Sequence, residues 1–481
     1  MSQEQALDDV EVIDDQRNQT AKQRFDVKSA VNWAISIGVP LILYLAIPVG
    51  GSMTEEIRRF LALTVFALIA WALSIVPVYV SGTALTILYV LTKTASPGVV
   101  FSPWATMVPW ISLGGLTLSV IFEKTGLLSR IAFWFISVTG GSYRGIVIGL
   151  TASGALVGLL VPSMTGRVVL YAALTLGIIH ALKIKPNTNE AAGIMFGGFM
   201  ASIACAWLFM SANDNVLIIN SFLIDVGEGV SWLRYVAIMF VPAAIFIAML
   251  VAMTLLIFRG RLEVEGREEF QNKLRELGPV KPQEIKFLVI LAVLVLALVF
   301  TDIAAGWLFM AAVVACFLPG IGIATADDLN QVNYMMVFFV AQTMSIGAVA
   351  SELGLPKMVT DSLLPLMSGT NNYVFILMIM GFGIIINFLM TPLAGITSFG
   401  ATLIELANTL GLSAPGAAFG FVWGVEQLIL PYEWVMFLIL FSYNMFDMKK
   451  AIIWSAARMG VAVIAMAAII LPYWMLVGFI S

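Results

Sequence analysis

Histidine occurs once, as His180, and cysteine twice, as Cys205 and Cys316, in a chain of 481 residues. One histidine leaves a multi-histidine metal centre or a Ser-His-Asp hydrolase a single candidate to be built around. With Lys183 and Lys185 following it, His180 reads as a helix-end residue. Two cysteines inside apolar runs make neither a disulfide framework nor a four-cysteine zinc site and read as packing. Charge is scarce as well: Asp, Glu, Lys and Arg make up 11% of residues, against about 25% in soluble domains. The net charge is -4 with no basic block, so nucleic acid finds no electrostatic footprint. The start of the chain is polar and mixed in sign, with no apolar core of a signal or transit peptide.

What is present is hydrophobic residue, 60% of the chain. At about 20 residues per span, this length allows some ten to twelve membrane helices once tails and loops are subtracted. Continuous apolar runs, rather than alternating ones, exclude an outer-membrane barrel. The expected fold is an all-α polytopic membrane protein. Apolar runs fall near 31–48, 58–80, 103–122, 145–161, 167–184, 191–211, 233–257, 286–300, 303–322, 334–350, 373–390, 396–412, 416–430 and 451–479. Several are too short to span and are divided by Pro, Gly, Ser or Thr, as broken helices and re-entrant hairpins are in transporters.

The long polar interval, 259–286, holds seven Lys or Arg and six Glu and reads as a linker between two repeats. Its basic residues and those of the 1–30 tail lie near membrane ends, so both are expected in the cytoplasm, and the uncharged end LPYWMLVGFIS, after five-span repeats of opposite orientation, is expected outside. The expected domains are the tail at 1–30, a first helix and loop at 31–57, a first repeat at 58–258 with a hairpin near 145–184, the linker, and a second repeat at 287–481 with a hairpin near 373–412. The repeats align at an offset of 228: SLGGLTLSVIFEKTGLLSRIAFW (112–134) superposes on VAQTMSIGAVASELGLPKMVTDS (340–362), Gly141 on Gly369, and PSMTGR (162–167) on MTPLAG (390–395). About five spans per repeat, an odd number, would invert the second relative to the first.

Polar residues at helix breaks must face protein or a watery cavity, so they are the candidates for function. At the first break, Pro162 ends a run, and Ser163, Met164, Thr165, Gly166 and Arg167 follow. Free N–H groups, two hydroxyls and a guanidinium together suit an anion; the alternative is a surface loop with Arg167 snorkelling to phosphate. On the anion reading, Arg167→Ala should abolish uptake in a folded protein. The second break offers Thr391, Pro392, Leu393, Gly395 and Thr397, less polar and open to the reading that its threonines merely bond back to their own helix. At the third, Asn213, Asp214 and Asn215 could hold a hard cation, carry a proton or pair with Arg167. At the fourth, Glu433 follows Pro431 as the matching acid. Either acid fits equally a place at the water interface beside Trp207 or Trp434. Glu405 and Glu426 have no place in this scheme.

Over roughly 58–479, GGLTLSVIFEKTGLLSRIA, the two hairpin tips and the paired loops resemble the divalent anion/sodium symporter family, the di- and tricarboxylate carriers of the ion transporter superfamily. The resemblance implies re-entrant hairpins tipped by Ser-Asn-Thr that hold substrate carboxylate, sodium sites at the tips and facing breaks, and a homodimer in the inner (plasma) membrane. Ser163-Met164-Thr165 departs from the motif at Met164, and Thr391-Pro392-Leu393 keeps only the first hydroxyl. Sodium would lie near Ser163, Asn215 and Thr391; no other cofactor is expected, a coupling proton being the alternative. Sodium-independent exchangers similar to the family carry a basic residue near the first tip, so Arg167 tilts the expectation towards exchange of small organic anions by alternating access. A sodium- or proton-coupled symporter, or an efflux carrier of another solute, remains the alternative. An intramembrane enzyme would need converging catalytic side chains that the sequence does not offer.

Overall fold

The structure is a computed structural model and describes residues 27–480 apart from 51–52, 74, 162, 263–266, 302, 304, 390 and 430–432. Most of the N-terminal tail, Pro162, and Leu430, Pro431 and Tyr432 of the fourth break therefore lie outside the described residues. The chain is all-helical. In order it forms α1 (Val27–Ala46), α2 (Glu55–Ala72), α3 (Val78–Leu91), α4 (Val108–Thr125), α5 (Leu127–Val138), α6 (Tyr143–Leu160), α7 (Met164–Ala181), α8 (Asn189–Ile203), α9 (Asp214–Asp225) and α10 (Trp232–Ile257). After α11 (Arg267–Glu276) come α12 (Pro282–Phe300), α13 (Ala305–Phe317), α14 (Tyr334–Glu352), α15 (Leu355–Met367), α16 (Asn372–Leu389), α17 (Pro392–Thr409), α18 (Ala414–Val425), α19 (Val435–Ser442) and α20 (Met448–Ala465). A π-turn and a short helix carry α20 on to Leu476.

Among the described residues, eight helices are long and apolar enough to cross a bilayer, and α4 with α5, bent by 67°, forms a ninth candidate. Two apolar runs end differently from their sequence reading. The run at 58–80 is not one span: α2 stops at Ala72 and α3 starts at Val78 behind Pro77, whose ring lacks the N–H that a continuing helix needs. The run at 103–122 starts only at Val108 and continues past Gly126 into α5, because Gly126 adopts φ 77° and turns the chain left-handed between the two helices.

Helix boundaries recur at the offset read from the sequence. Adding 228 to the bounds of α7 gives 392–409, the bounds of α17; adding it to α5 gives 355–366, against 355–367 for α15. Each tip is capped alike, since Ser163 accepts from the Gly166 N–H and Thr391 from the Ala394 N–H.

Glycine lets the helices that carry the breaks approach closely. A Cβ on Gly154 of α6 would lie 2.5 Å from the Ala201 Cα of α8, and one on Gly424 of α18 would lie 3.1 Å from the Gly383 Cα of α16. The two broken helices meet where the Trp207 and Trp423 rings lie 4.6 Å apart. Across the chain, α7 packs on the short helix α19, and α17 on the short helix α9. The polar 259–286 interval contains α11, which lies on α5 through Phe270 and Phe133. Arg130 of α5 fixes this linker, donating to Gly278 O (2.9 Å) and pairing with the buried Glu284 at 2.8 Å.

Candidate functional site: a central cavity at four helix starts

Both helix pairs end their first arm in the middle of the protein, so α7 and α17 begin there, and the breaks after α8 and α18 make α9 and α19 begin there too. Four helix N-termini, each the positive end of a peptide dipole, thus converge on one cavity that is partly open to the surroundings. From the first half it is lined by Val108, Ile111, Ser112 and Leu116 of α4, by Ser163, Met164 and Thr165 at the first tip, and by Asp214, Asn215 and Ile218 of α9. From the second half come Met336, Phe339 and Val340 of α14, Thr391, Pro392 and Leu393 at the second tip, and Trp434 and Met436. Six of these pairs stand 228 apart: 108 with 336, 111 with 339, 112 with 340, 163 with 391, 164 with 392 and 165 with 393.

Eight of the residues singled out from the sequence therefore lie together: Ser163, Met164, Thr165, Asp214, Asn215, Thr391, Pro392 and Leu393. The others lie behind this wall. Gly166 faces Ser119 of α4 with no room for a Cβ. Thr397 donates to Leu393 O (3.0 Å) and Ala394 O (3.2 Å), the back-bonded arrangement. Glu433 accepts from the Ile429 N–H (2.9 Å) and from Asn387 Nδ2 (3.2 Å), tying the fourth break to α16. Asn213 caps α9.

Arg167 is fully buried, at 0% exposure, and is not part of the lining. Its guanidinium donates to Val161 O at the end of α6, to Ser202 O of α8 (3.0 Å) and to Ala212 O just before α9. A residue that the sequence offers as an anion ligand is thus occupied in holding three chain segments around the first tip. It remains the charge that acts on Asp214. One carboxylate oxygen, Asp214 Oδ1, is buried without a hydrogen-bond partner.

Glu426, unplaced by the sequence, is 1% exposed and joins the two breaks. Its Oε1 accepts from Asn213 Nδ2 (3.0 Å) and Asn215 Nδ2 (2.9 Å), while Arg458 of α20 donates to its backbone oxygen (2.9 Å) and to Gln427 Oε1 (3.1 Å). Arg458 is as buried as Arg167 and clamps the second break as Arg167 clamps the first. Glu405, by contrast, is exposed. Two sequence signals bear on what was missed. The 228 offset pairs Ser112 with Val340 and Val108 with Met336, and Arg458 is a lone cation deep in an apolar run. No periodicity links Glu426 to Asn213 across more than two hundred residues.

Among the described residues there is no group of three or more His, Cys, Asp or Glu arranged for a metal. The oxygens of Ser163, Thr165, Asp214 and Asn215 are instead the hard donors that suit a sodium ion, and the unpartnered Asp214 Oδ1 is consistent with one.

A lining repeated across two halves, at the starts of broken helices, belongs to transport architecture. Residues 28–480 match the family described as sodium:sulfate symporter transmembrane region. The chain belongs to that family. Its relatives include a "Membrane protein" of Cupriavidus necator, 28% identical over 53% of this chain and 54% of that one. They also include the chloroplastic dicarboxylate transporter 1 of Arabidopsis thaliana, 25% identical over 52% of this chain and 46% of its own. The sodium-dependent dicarboxylate transporter SdcS of Staphylococcus aureus is 22% identical over 47% and 45%. The chain spans about half the length of the curated relatives it matches. Members of this family are transporters rather than enzymes.

Proposed function

We propose that this protein is a secondary active carrier of a small organic anion that works by alternating access. The observation that carries the reading is the paired lining of the central cavity, with both hairpin tips and both short helices directing N-termini at one volume. An anion there meets peptide dipoles and hydroxyls from both halves. On this reading the halves are inverted repeats joined by a cytoplasmic linker, the protein is a homodimer of the plasma membrane with its N-terminus in the cytoplasm, and Ser163 and Thr391 touch the substrate. Arg167 then serves as a positioning residue, holding the first tip in place.

With Arg167 in this role, its charge no longer favours exchange. A guanidinium held by carbonyls and acting on Asp214 leaves no bare cation facing the empty cavity, so nothing forbids the return of the unloaded carrier. The unpartnered Asp214 Oδ1 favours a second reading, a symporter with sodium held by Asp214, Ser163, Thr165 and Asn215. Bound there, sodium would supply positive charge against the anion; Asp214 would be its fixed counter-charge.

Counterflow in proteoliposomes, with mono-, di- and tricarboxylates and sulfate, tests the proposal when run with and without sodium. The expected result is counterflow of at least one anion that Ser163→Ala and Thr391→Ala both weaken. If no anion exchanges, or if exchange ignores both substitutions, the carrier reading fails. Sodium dependence that Asp214→Asn abolishes selects the symporter.

A further inference from the structure

Three arginines that the carrier reading does not use, Arg144, Arg259 and Arg261, line one surface cavity together with Tyr143, Glu190 and Leu255. It forms where α6 starts at Tyr143, α8 starts at Asn189 and α10 stops at Ile257. The Tyr143 hydroxyl donates to Phe258 O (2.5 Å), Asn189 Nδ2 to Arg259 O (3.2 Å) and the Arg261 N–H to Glu190 Oε1 (3.1 Å). Gly260 passes so close to Glu190 that a Cβ there would lie 2.7 Å from its Cγ. The backbone carrying Arg259 and Arg261 is therefore tied to the starts of two helices, while the arginine side chains are not engaged. All three residues are exposed, and among the described residues none of their guanidiniums has a hydrogen bond or ion pair.

Guanidiniums gathered in one cavity repel one another, and Glu190, the one carboxylate among the lining residues, cannot balance three of them. An oxyanion with several acceptors can, because each planar fork matches two phosphate oxygens. The surroundings suit a lipid. α10 is long and apolar enough to cross a bilayer, and Leu256, next to its end, is 65% exposed. An acyl chain along that surface carries its headgroup to the level of the arginines, and basic pockets at helix ends recognise anionic headgroups. We infer that this cavity is a phosphate site, separate from the central one, that takes the headgroup of an anionic phospholipid or a free phosphate. It stands apart from the carrier reading, since none of these residues lines the central cavity.

Thermal stabilisation of the purified full chain in detergent reads the binding, with dioctanoyl phosphatidylglycerol, dioctanoyl phosphatidylcholine and inorganic phosphate as probes. The triple variant Arg144→Gln, Arg259→Gln, Arg261→Gln is compared with Lys183→Gln, Lys185→Gln, Lys449→Gln. The second variant removes equal charge from exposed lysines on the same side of the bundle, where Asn187 N–H donates to Met445 O. Phosphatidylglycerol is expected to stabilise the wild type, to bind at least about tenfold more weakly to the arginine variant, and to bind the lysine variant within about twofold of wild type. Arg144→Gln alone, expected to weaken binding at least about threefold, keeps the comparison if the triple variant melts early without ligand. Inorganic phosphate that matches phosphatidylglycerol and is lost with the arginines makes soluble phosphate the ligand of the inferred site. Equal loss in both triple variants would show only the general attraction of basic residues for anionic lipid and overturns the inference. So does equal stabilisation by phosphatidylcholine, no stabilisation by any probe, or stabilisation that Ser163→Ala removes and the arginine variant keeps, which belongs to the central cavity.

Discussion

Replacing Arg167 by alanine separates a ligand from a structural clamp. The guanidinium is fully buried and serves carbonyls from the ends of α6 and α8 and from the turn before α9. Each such bond to a charged donor is worth about 1.5–3 kcal/mol, but the three share one side chain and cannot simply be added. Removing one partner of a buried charged network costs about 3–5 kcal/mol, and here it strands three carbonyls and leaves Asp214 without the charge that acts on it. That is a large part of the roughly 5–15 kcal/mol by which proteins are stable. Arg167→Ala is therefore expected to lower the melting temperature in detergent by several degrees or to prevent a monodisperse protein from forming, rather than to leave a folded protein that merely fails to bind. Arg167→Lys keeps the charge but not the planar fork, so it should fall between the two. Fluorescence-detected size exclusion after a heat step reads both variants. Melting at the wild-type temperature with substrate binding lost would refute the clamp and make the guanidinium a direct ligand.

Glu426→Gln preserves an acceptor for Asn213 and Asn215 and should change stability by less than about 1 kcal/mol, whereas Glu426→Ala strands two buried amides and should cost about 2–4 kcal/mol; chemical or thermal denaturation of the pair compares them. Gly424→Val would drive a side chain into the Gly383 backbone of α16 and should destabilise by about 1–3 kcal/mol or more. The same substitution at Gly381, where a Cβ meets nothing within 4 Å, is the control for that melting experiment. Single cysteines placed in the 259–286 linker and at the C-terminus, in a background lacking Cys205 and Cys316, should label from opposite sides of the membrane. Labelling from one side would remove the odd number of spans on which inverted repeats rest.

Composition and runs of apolar residues determined the class of this protein on their own, because a bilayer forces backbone hydrogen bonds into long local helices whose sequence signal is continuous. The offset of 228 was also legible, since PSMTGR and MTPLAG stand 228 residues apart and each opens a helix, α7 and α17, whose bounds keep that spacing. The sequence likewise pointed to Ser163, Thr165, Asp214, Asn215 and Thr391, as hydroxyls, amides and acids at breaks have few other uses in lipid. Only the tertiary structure decided which way they face. A helix break states that polar atoms are near, not whether a side chain turns into the cavity, as Thr165 does, or back onto carbonyls, as Arg167 does. That choice depends on acceptors supplied by α8 and by the turn before α9, dozens of residues away. The bond from Asn215 to Glu426 depends in the same way on the crossing of the two broken helices, which glycine contacts and the tilted Trp207 and Trp423 rings set in space and which leaves no period in the sequence.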